Sequence, residues 1–234
     1  MDIIGKALWD YKNGAYSEDI TTYSSFGEQD IVPLPYLFRD FQDMPTLEKK
    51  ALELCQGSIL DIGAGSGSHS LYLEKKGFDV TALDSSKGAI DTCKARGITN
   101  TAHSGLYEYN DAKHDTLLLL MNGLGLAGKL SELDPFLTHL KSILSPEGQI
   151  LVDSSDIIYM FDEDEEGGRW LPDNSDYYGE VEFTMEYKNQ KSERFWWLYC
   201  DFNTLRRAAE ANNLHCELVM TGEHYDYLAR LTRM

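Results

Sequence analysis

Along residues 45–156 the hydrophobic positions come in blocks, and the period changes from block to block. Leu47, Ala51, Leu52 and Leu54 have near-helical spacing, which predicts a helix from Thr46 towards Cys55. Ile59, Leu60 and Ile62 then read as a short buried strand that stops at Gly63, Gly65 and Gly67. A helix through Leu71, Tyr72 and Leu73 ends at Gly77, and the run FDVTAL forms a second strand reaching Asp84. Ser85 or Ser86 caps the next helix, which carries Ala89, Ile90 and Cys93, and a weaker strand follows at Ile98 to Ala102. Thr116 to Met121, TLLLLM, is the strongest core strand; an unbroken apolar run suits a strand covered on both faces. Leu133, Phe136, Leu137, Leu140 and Leu144 predict another helix, and Pro146-Glu147-Gly148 turns the chain into a fifth strand, Gln149 to Val152. Repeated β-α-β units imply parallel strands joined by right-handed crossovers.

The flanks have a different pattern. Residues 1–57 are rich in aromatics and broken by Pro33, Pro35 and Pro45, which suggests short helices packed on the domain or lying over a cleft as a lid. Val181 to Tyr187 alternates apolar and polar residues, and Phe195 to Cys200 is strand-like, so a hairpin is expected around Asn189-Gln190. Asn203 or Thr204 caps a helix to about Asn212, and Leu214 to Met220 with Tyr225 to Leu231 form an antiparallel terminal pair. Without repeats or a low-complexity linker, the chain reads as one domain over 1–234. Its parts are an N-terminal helical or lid extension (1–57), a cofactor-binding core (58–156), and a substrate-side loop, hairpin and terminal strands (157–234).

The chemistry is concentrated at the glycine turn, SILDIGAGSGSH. A strand, a glycine turn and a helix N-terminus make a ligand cradle, with Ser66 and Ser68 as candidate helix caps. The spacing departs from G-x-G-x-x-G because the third glycine comes one position early. Asp61 lies inside the strand end, where a carboxylate repels a pyrophosphate and suits a cation. S-adenosylmethionine has no phosphate and carries a sulfonium and an ammonium. Asp84, at the end of the second strand, is positioned to accept hydrogen bonds from ribose hydroxyls.

LDIGAGSG followed by VTALD resembles the first two motifs of class I S-adenosylmethionine-dependent methyltransferases, most like the bacterial type 11 branch. LSPEGQILVDSSD resembles the family's turn and fifth strand. The resemblance implies a Rossmann-like α/β sandwich, with a mostly parallel seven-stranded sheet and an antiparallel C-terminal strand. It also implies that Asp61, Gly63, Ala64, Gly65 and Gly67 hold the methionine end of S-adenosylmethionine, that Asp84 holds the ribose, and that Ser85 lies beside the adenine. Many members have an acidic residue after the third strand for the adenine amino group; here Ser104-Gly105 occupies that place, so Ser104, a backbone carbonyl or a water would replace it.

Charge narrows the partner. With 39 acidic against 21 basic residues the formal net charge is −18, which argues against binding nucleic acid and favours a small-molecule acceptor. Cys55, Cys93, Cys200 and Cys216 form no C-x-x-C pair and the histidines lack metal-ligand spacing, so reduced thiols and no metal site are expected. No apolar run reaches membrane-spanning length and no signal-peptide pattern is present, so a cytoplasmic protein is expected. The oligomeric state is not legible. The acidic run Asp162 to Glu166 reads as a solvated loop, because consecutive acids lack the alternating spacing of a cation loop.

Methyl transfer depends mainly on alignment, so the fold does not announce its substrate. In open α/β sheets the ligand crevice lies beyond the C-terminal strand ends. That rule makes Asn122, Asp153 and Asp156 candidate catalytic residues, with Asn122 also near the cofactor and His103 nearby. Each has an ordinary alternative: Asn122 as a turn former, the two aspartates as caps, His103 as a loop histidine. His69 is expected to shape the glycine turn. The rival functions are a cofactor-binding regulator without turnover and a nicotinamide-dependent oxidoreductase, the latter opposed by the glycine spacing and Asp61.

Overall fold

The strand expected over the TLLLLM run forms two residues earlier, over His114–Leu119, with both of its faces covered. In the computed structural model, which describes residues 1–161 and 177–234, Leu117 and Leu119 belong to one hydrophobic core while Leu118 and Leu120 belong to another on the opposite side of the sheet. The acidic run 162–166 lies outside the described residues.

The chain begins with α1 (Ile3–Lys12), β1 (Ile20–Ser24), β2 (Gln29–Val32), α2 (Leu34–Leu37) and α3 (Thr46–Leu54). The core follows as β3 (Ser58–Ile62), α4 (Ser68–Lys75), β4 (Asp79–Asp84), α5 (Lys87–Ala95), β5 (Asn100–His103), β6 (His114–Leu119), α6 (Leu133–Ile143) and β7 (Leu144–Ser155). The C-terminal part contributes β8 (Glu180–Tyr187), β9 (Gln190–Lys191), β10 (Phe195–Leu198), α7 (Phe202–Ala211), β11 (Leu214–Thr221) and β12 (Asp226–Arg233).

Seven strands form one sheet in the order β11-β12-β7-β6-β3-β4-β5. From β7 to β5 neighbours run parallel, and β12 and β11 add antiparallel at the other side, giving the expected Rossmann-like sandwich. Phe136, Leu140 and Leu205 from α6 and α7 cover one face; Leu47, Leu52 and Leu73 from α3 and α4 cover the other. Burying such a side chain contributes about 1.5–3 kcal/mol, so these two layers supply much of the driving force for folding.

A second sheet, order β10-β8-β1-β2 with β9 on β8, joins the two ends of the sequence. Thr22 of β1 lies opposite Met185 of β8 and opposite Asp30 of β2. The N-terminal extension therefore supplies strands as well as the expected helices. This pairing spans more than 150 residues and has no local signature, which is why periodicity alone did not reveal it.

Three local expectations are corrected. The third strand is Asn100–His103, displaced towards the C-terminus because Gly97 and Ile98 close α5 through backbone bonds to Lys94 and Cys93. The cap of α7 is Asp201, whose carboxylate accepts the Thr204 N–H at 3.0 Å, in place of Asn203 or Thr204. Ser66 and Ser68 do not cap α4; its N-cap is Gly67, at φ 81°, and both hydroxyls donate to the Leu37 carbonyl. They tie α2 to the glycine loop. Ser86, as expected, caps α5 by accepting the Ala89 N–H at 3.0 Å.

Candidate active site

The glycine loop is built for close approach to a ligand. Gly63 and Gly65 have φ of 75° and 55°, values that L-residues rarely adopt. A Cβ on Gly63 would meet only Leu126 Cδ1 at 3.6 Å, and one on Gly65 only the Gly63 carbonyl at 3.9 Å, so the space above both is open. Gly67 differs: at φ 81° it caps α4, and a Cβ there would sit 2.2 Å from Ile98 Cδ1, so the space behind it is filled.

Carboxylates fix the loop from behind. Asp84 accepts the Gly65 N–H at 2.9 Å and the Ser86 N–H at 2.8 Å, while burial, with Asp2 and Asp61 as like charges, pushes its carboxyl above the usual range. Asp61 is 2% exposed, accepts the Ser70 hydroxyl at 2.6 Å, and is likewise raised, by burial, against the lowering effects of His69 and Ser70. Beneath the loop, Glu48 accepts both Arg39 Nη2 at 2.5 Å and a bond with His69 Nε2 at 2.9 Å. Burial alone would raise Glu48, but His69 and Arg39 together hold it below the usual carboxylate range. The ion pair thus bridges α3, the segment after α2 and the first turn of α4. His69, in the first turn of α4, pairs with an acid on another helix.

A cavity of about 570 Å³ opens from this loop. Asp61, Gly63, Ala64, Gly65 and Asn122 line its floor. Its roof is one face of the second sheet, and the period of two along each strand selects which residues face it. Val181, Phe183 and Met185 from β8, and Phe195, Trp197 and Tyr199 in and beyond β10, make that face apolar and aromatic. Ile4 and Leu8 of α1 close one side. Asp2 anchors that helix by accepting the Gly5 N–H, the Ser86 hydroxyl and the Gly88 N–H, at 2.9, 2.8 and 3.0 Å.

The tip of β6 is strained. Met121 and Asn122 both adopt left-handed backbone, φ 66° and 58°, a conformation that costs non-glycine residues energy and clusters at functional sites. Asn122 Nδ2 donates to the Leu198 carbonyl at 3.4 Å, and its buried Oδ1 has no hydrogen-bond partner. Asp153, by contrast, does not line the cavity. Its carboxylate accepts the Gly123 N–H at 2.7 Å, and burial pushes its pKa up to about 6. Asp156 also lies outside the lining; it accepts the Ile158 N–H at 2.9 Å and the Tyr178 hydroxyl at 2.8 Å. Neither aspartate is among the described lining residues, and the hydrogen bonds of both go to backbone and neighbouring side chains. Ser85 is exposed, and its carbonyl meets His103 Nε2 at 3.1 Å. Ser104 donates its N–H to the Asp84 carbonyl at 3.1 Å and its hydroxyl to the Gly105 carbonyl at 3.0 Å.

The site fits the cofactor expected from the motifs. The open glycine surface accommodates a ligand, and Asn122 Oδ1 lacks a donor. Asp84, Ser85 and Ser104 are not among the cavity's lining residues, but Asp84 keeps lone pairs free beyond its two backbone bonds. Sequence reasoning missed Trp197, Tyr199 and the β1–β2 hairpin as cavity walls. The alternation of Val181, Phe183 and Met185 was the available signal, but it did not say what the apolar face covers. Among the described residues no group of acidic, histidine or cysteine side chains is placed to hold a metal ion, and no helix is long and apolar enough to cross a membrane.

Comparison with known proteins agrees with this geometry. A methyltransferase-domain family model matches residues 59–148. A SAM-dependent methyltransferase from Bacteroides fragilis, solved in complex with S-adenosyl-L-homocysteine, is 41% identical, with 99% of this chain and 94% of that chain covered and a TM-score of 0.91. The CcbJ methyltransferase from Streptomyces caelestis (12% identity, 82% and 94% covered, TM-score 0.63) and DesVI from Streptomyces venezuelae (17%, 86% and 96%, TM-score 0.61) share the fold. No curated protein matches the chain.

Proposed function

Because this chain belongs to the class I S-adenosylmethionine-dependent methyltransferases, we propose that it methylates a small-molecule acceptor held between the glycine loop and the aromatic sheet. The observation that supports this reading is a continuous cavity that runs from Gly63 and Gly65 to Phe183 and Trp197. Its volume of about 570 Å³ suits small ligands and is walled on opposite sides. A net charge of −18 disfavours a nucleic-acid acceptor.

When bound, S-adenosylmethionine supplies an electrophilic methyl group on a sulfonium. In our reading Asp61 and the loop Gly63-Ala64-Gly65 hold the methionine end, and Gly67 keeps that loop seated on Ile98. Asp84 accepts the ribose hydroxyls, Ser85 lies beside the adenine, and Ser104 or its backbone meets the adenine amino group. Asn122 orients the acceptor from the floor. Asp153 is a positioning residue that fixes Asn122 by gripping the next backbone N–H. Asp156 steadies Tyr178. The wall aromatics exclude water and align the acceptor, an effect that can contribute roughly 7–11 kcal/mol in well-oriented reactions.

The test is a screen of small-molecule acceptors with radiolabelled S-adenosylmethionine, run beside calorimetry with S-adenosylhomocysteine. Label appearing in small molecules, with none in protein or nucleic acid, supports the proposal. Label entering only macromolecules contradicts it.

A further inference from the structure

We infer that the acceptor carries a positively charged amine, received by Glu28 and Asp30 at the edge of the cavity roof. The inference rests on the reading of this cavity as the acceptor site, and it starts from two carboxylates at its β2 edge. Side chains alternate between the two faces of a strand. Glu28, just before β2, and Asp30 share the cavity side with Val32, while Ile31 points outward and is 57% exposed; both carboxylates are themselves exposed, at the edge of the cavity. The register confirms the shared face, since Asp30 lies opposite Thr22, which lies opposite Met185, and all three line the cavity.

Among the described residues no cation answers these carboxylates. Neither Glu28 nor Asp30 has a salt-bridge partner among the described residues; Asp30 Oδ1 accepts only its neighbour's Ile31 N–H, at 2.7 Å. Arg39 is the one lysine or arginine among the described residues that line the cavity, and Glu48 engages it. The rest of the roof offers π-faces, among them Phe183, Phe195 and Trp197, which attract cations at contact distance. On the floor, Asn122 Oδ1 is a second kind of unmet acceptor. Two carboxylates, aromatic faces and an unpaired amide oxygen share one preference. Each favours a ligand that brings N–H donors and positive charge, and each disfavours a carboxylate or phosphate ligand.

The alternative explanation is that charges on an edge strand guard it against pairing with another chain. Calorimetry separates the two. Matched ligand sets on phenethyl and cyclohexyl frameworks, each as amine, alcohol and carboxylic acid, are titrated into protein preloaded with S-adenosylhomocysteine. The same titrations are run on the double variant Glu28→Gln/Asp30→Asn, with its association state measured by light scattering. The expected result is amine binding at least tenfold tighter than the matched alcohol and acid. In the variant that preference collapses while S-adenosylhomocysteine affinity is unchanged. Amines that bind no better than their alcohols, or a preference that survives in the variant, overturn the inference. So does a variant that changes only association. Failure of S-adenosylhomocysteine itself to bind the wild-type protein overturns the underlying reading instead, and is scored before any amine is added.

Discussion

Asp84, at the end of β4, accepts the backbone N–H of Gly65 at 2.9 Å, so the tip of one strand fixes the loop that follows its neighbour. The two motifs that identify the cofactor site are therefore mechanically one unit. Asp84→Ala is expected to lower the melting temperature and to weaken S-adenosylhomocysteine together. Each charged hydrogen bond lost costs about 1.5–3 kcal/mol, which is roughly a tenfold or larger loss of affinity. Calorimetry and thermal denaturation on the same preparation check it. A variant that loses stability but keeps full affinity would assign Asp84 to the loop alone.

Asn122 invites a sharper comparison, because its backbone and its amide can be separated. Alanine at φ 58° adds strain of roughly 1–2 kcal/mol, whereas glycine adopts that conformation freely. Asn122→Gly is therefore expected to fold normally, bind S-adenosylhomocysteine as the wild type does, and lose about tenfold or more in turnover. Asn122→Ala should show the same loss plus a lower melting temperature. If turnover per folded molecule survives in the glycine variant, the residue serves only the turn.

Asp153 gives the fold a pH dependence of predictable sign. Its native pKa of about 6 lies above the ordinary 3.8, so between those values the unfolded chain binds fewer protons than the native one. Stability contributed by this group is complete below about pH 3.8 and is lost as pH rises through about 6. A shift of about two pH units corresponds to roughly 3 kcal/mol. Urea denaturation from pH 4 to 7 should show a steeper fall in the wild type than in Asp153→Asn. Asp61 and Asp84 shift the same way, so the difference between the two proteins is the quantity to read. Parallel profiles would contradict the assignment.

Gly125 faces Trp197 so closely that a Cβ would lie 1.9 Å from the indole Nε1. Gly125→Ala is expected to push Trp197 into the cavity, at a cost in stability of about 1–3 kcal/mol as for other overpacked sites. Acceptor methylation should fall with S-adenosylhomocysteine affinity intact. Equal loss of both, measured by steady-state kinetics and calorimetry, would mean that the two ligands do not occupy separate walls.

What the sequence made legible was mostly local. The glycines, Asp61, Asp84 and the TLLLLM run each declare their structure through spacing or apolar continuity, and the seven-stranded sheet is what the family resemblance carried by those motifs implies. The missing parts depend on contacts between distant segments. Ser66 and Ser68 resemble helix caps until Leu37, some thirty residues earlier, takes their hydroxyls. Glu48 looks like a surface position on α3 until Arg39 and His69 close around it. β1 and β2 lack the length and periodicity to be recognised alone and are made strands by pairing with β8. The cavity roof was hidden for the same reason.

The most direct test of the account is calorimetric titration of S-adenosylhomocysteine into the purified protein, paired with thermal denaturation. The account predicts saturable one-to-one binding and a melting temperature that rises with ligand concentration. Absence of both heat and thermal shift at millimolar ligand would contradict it.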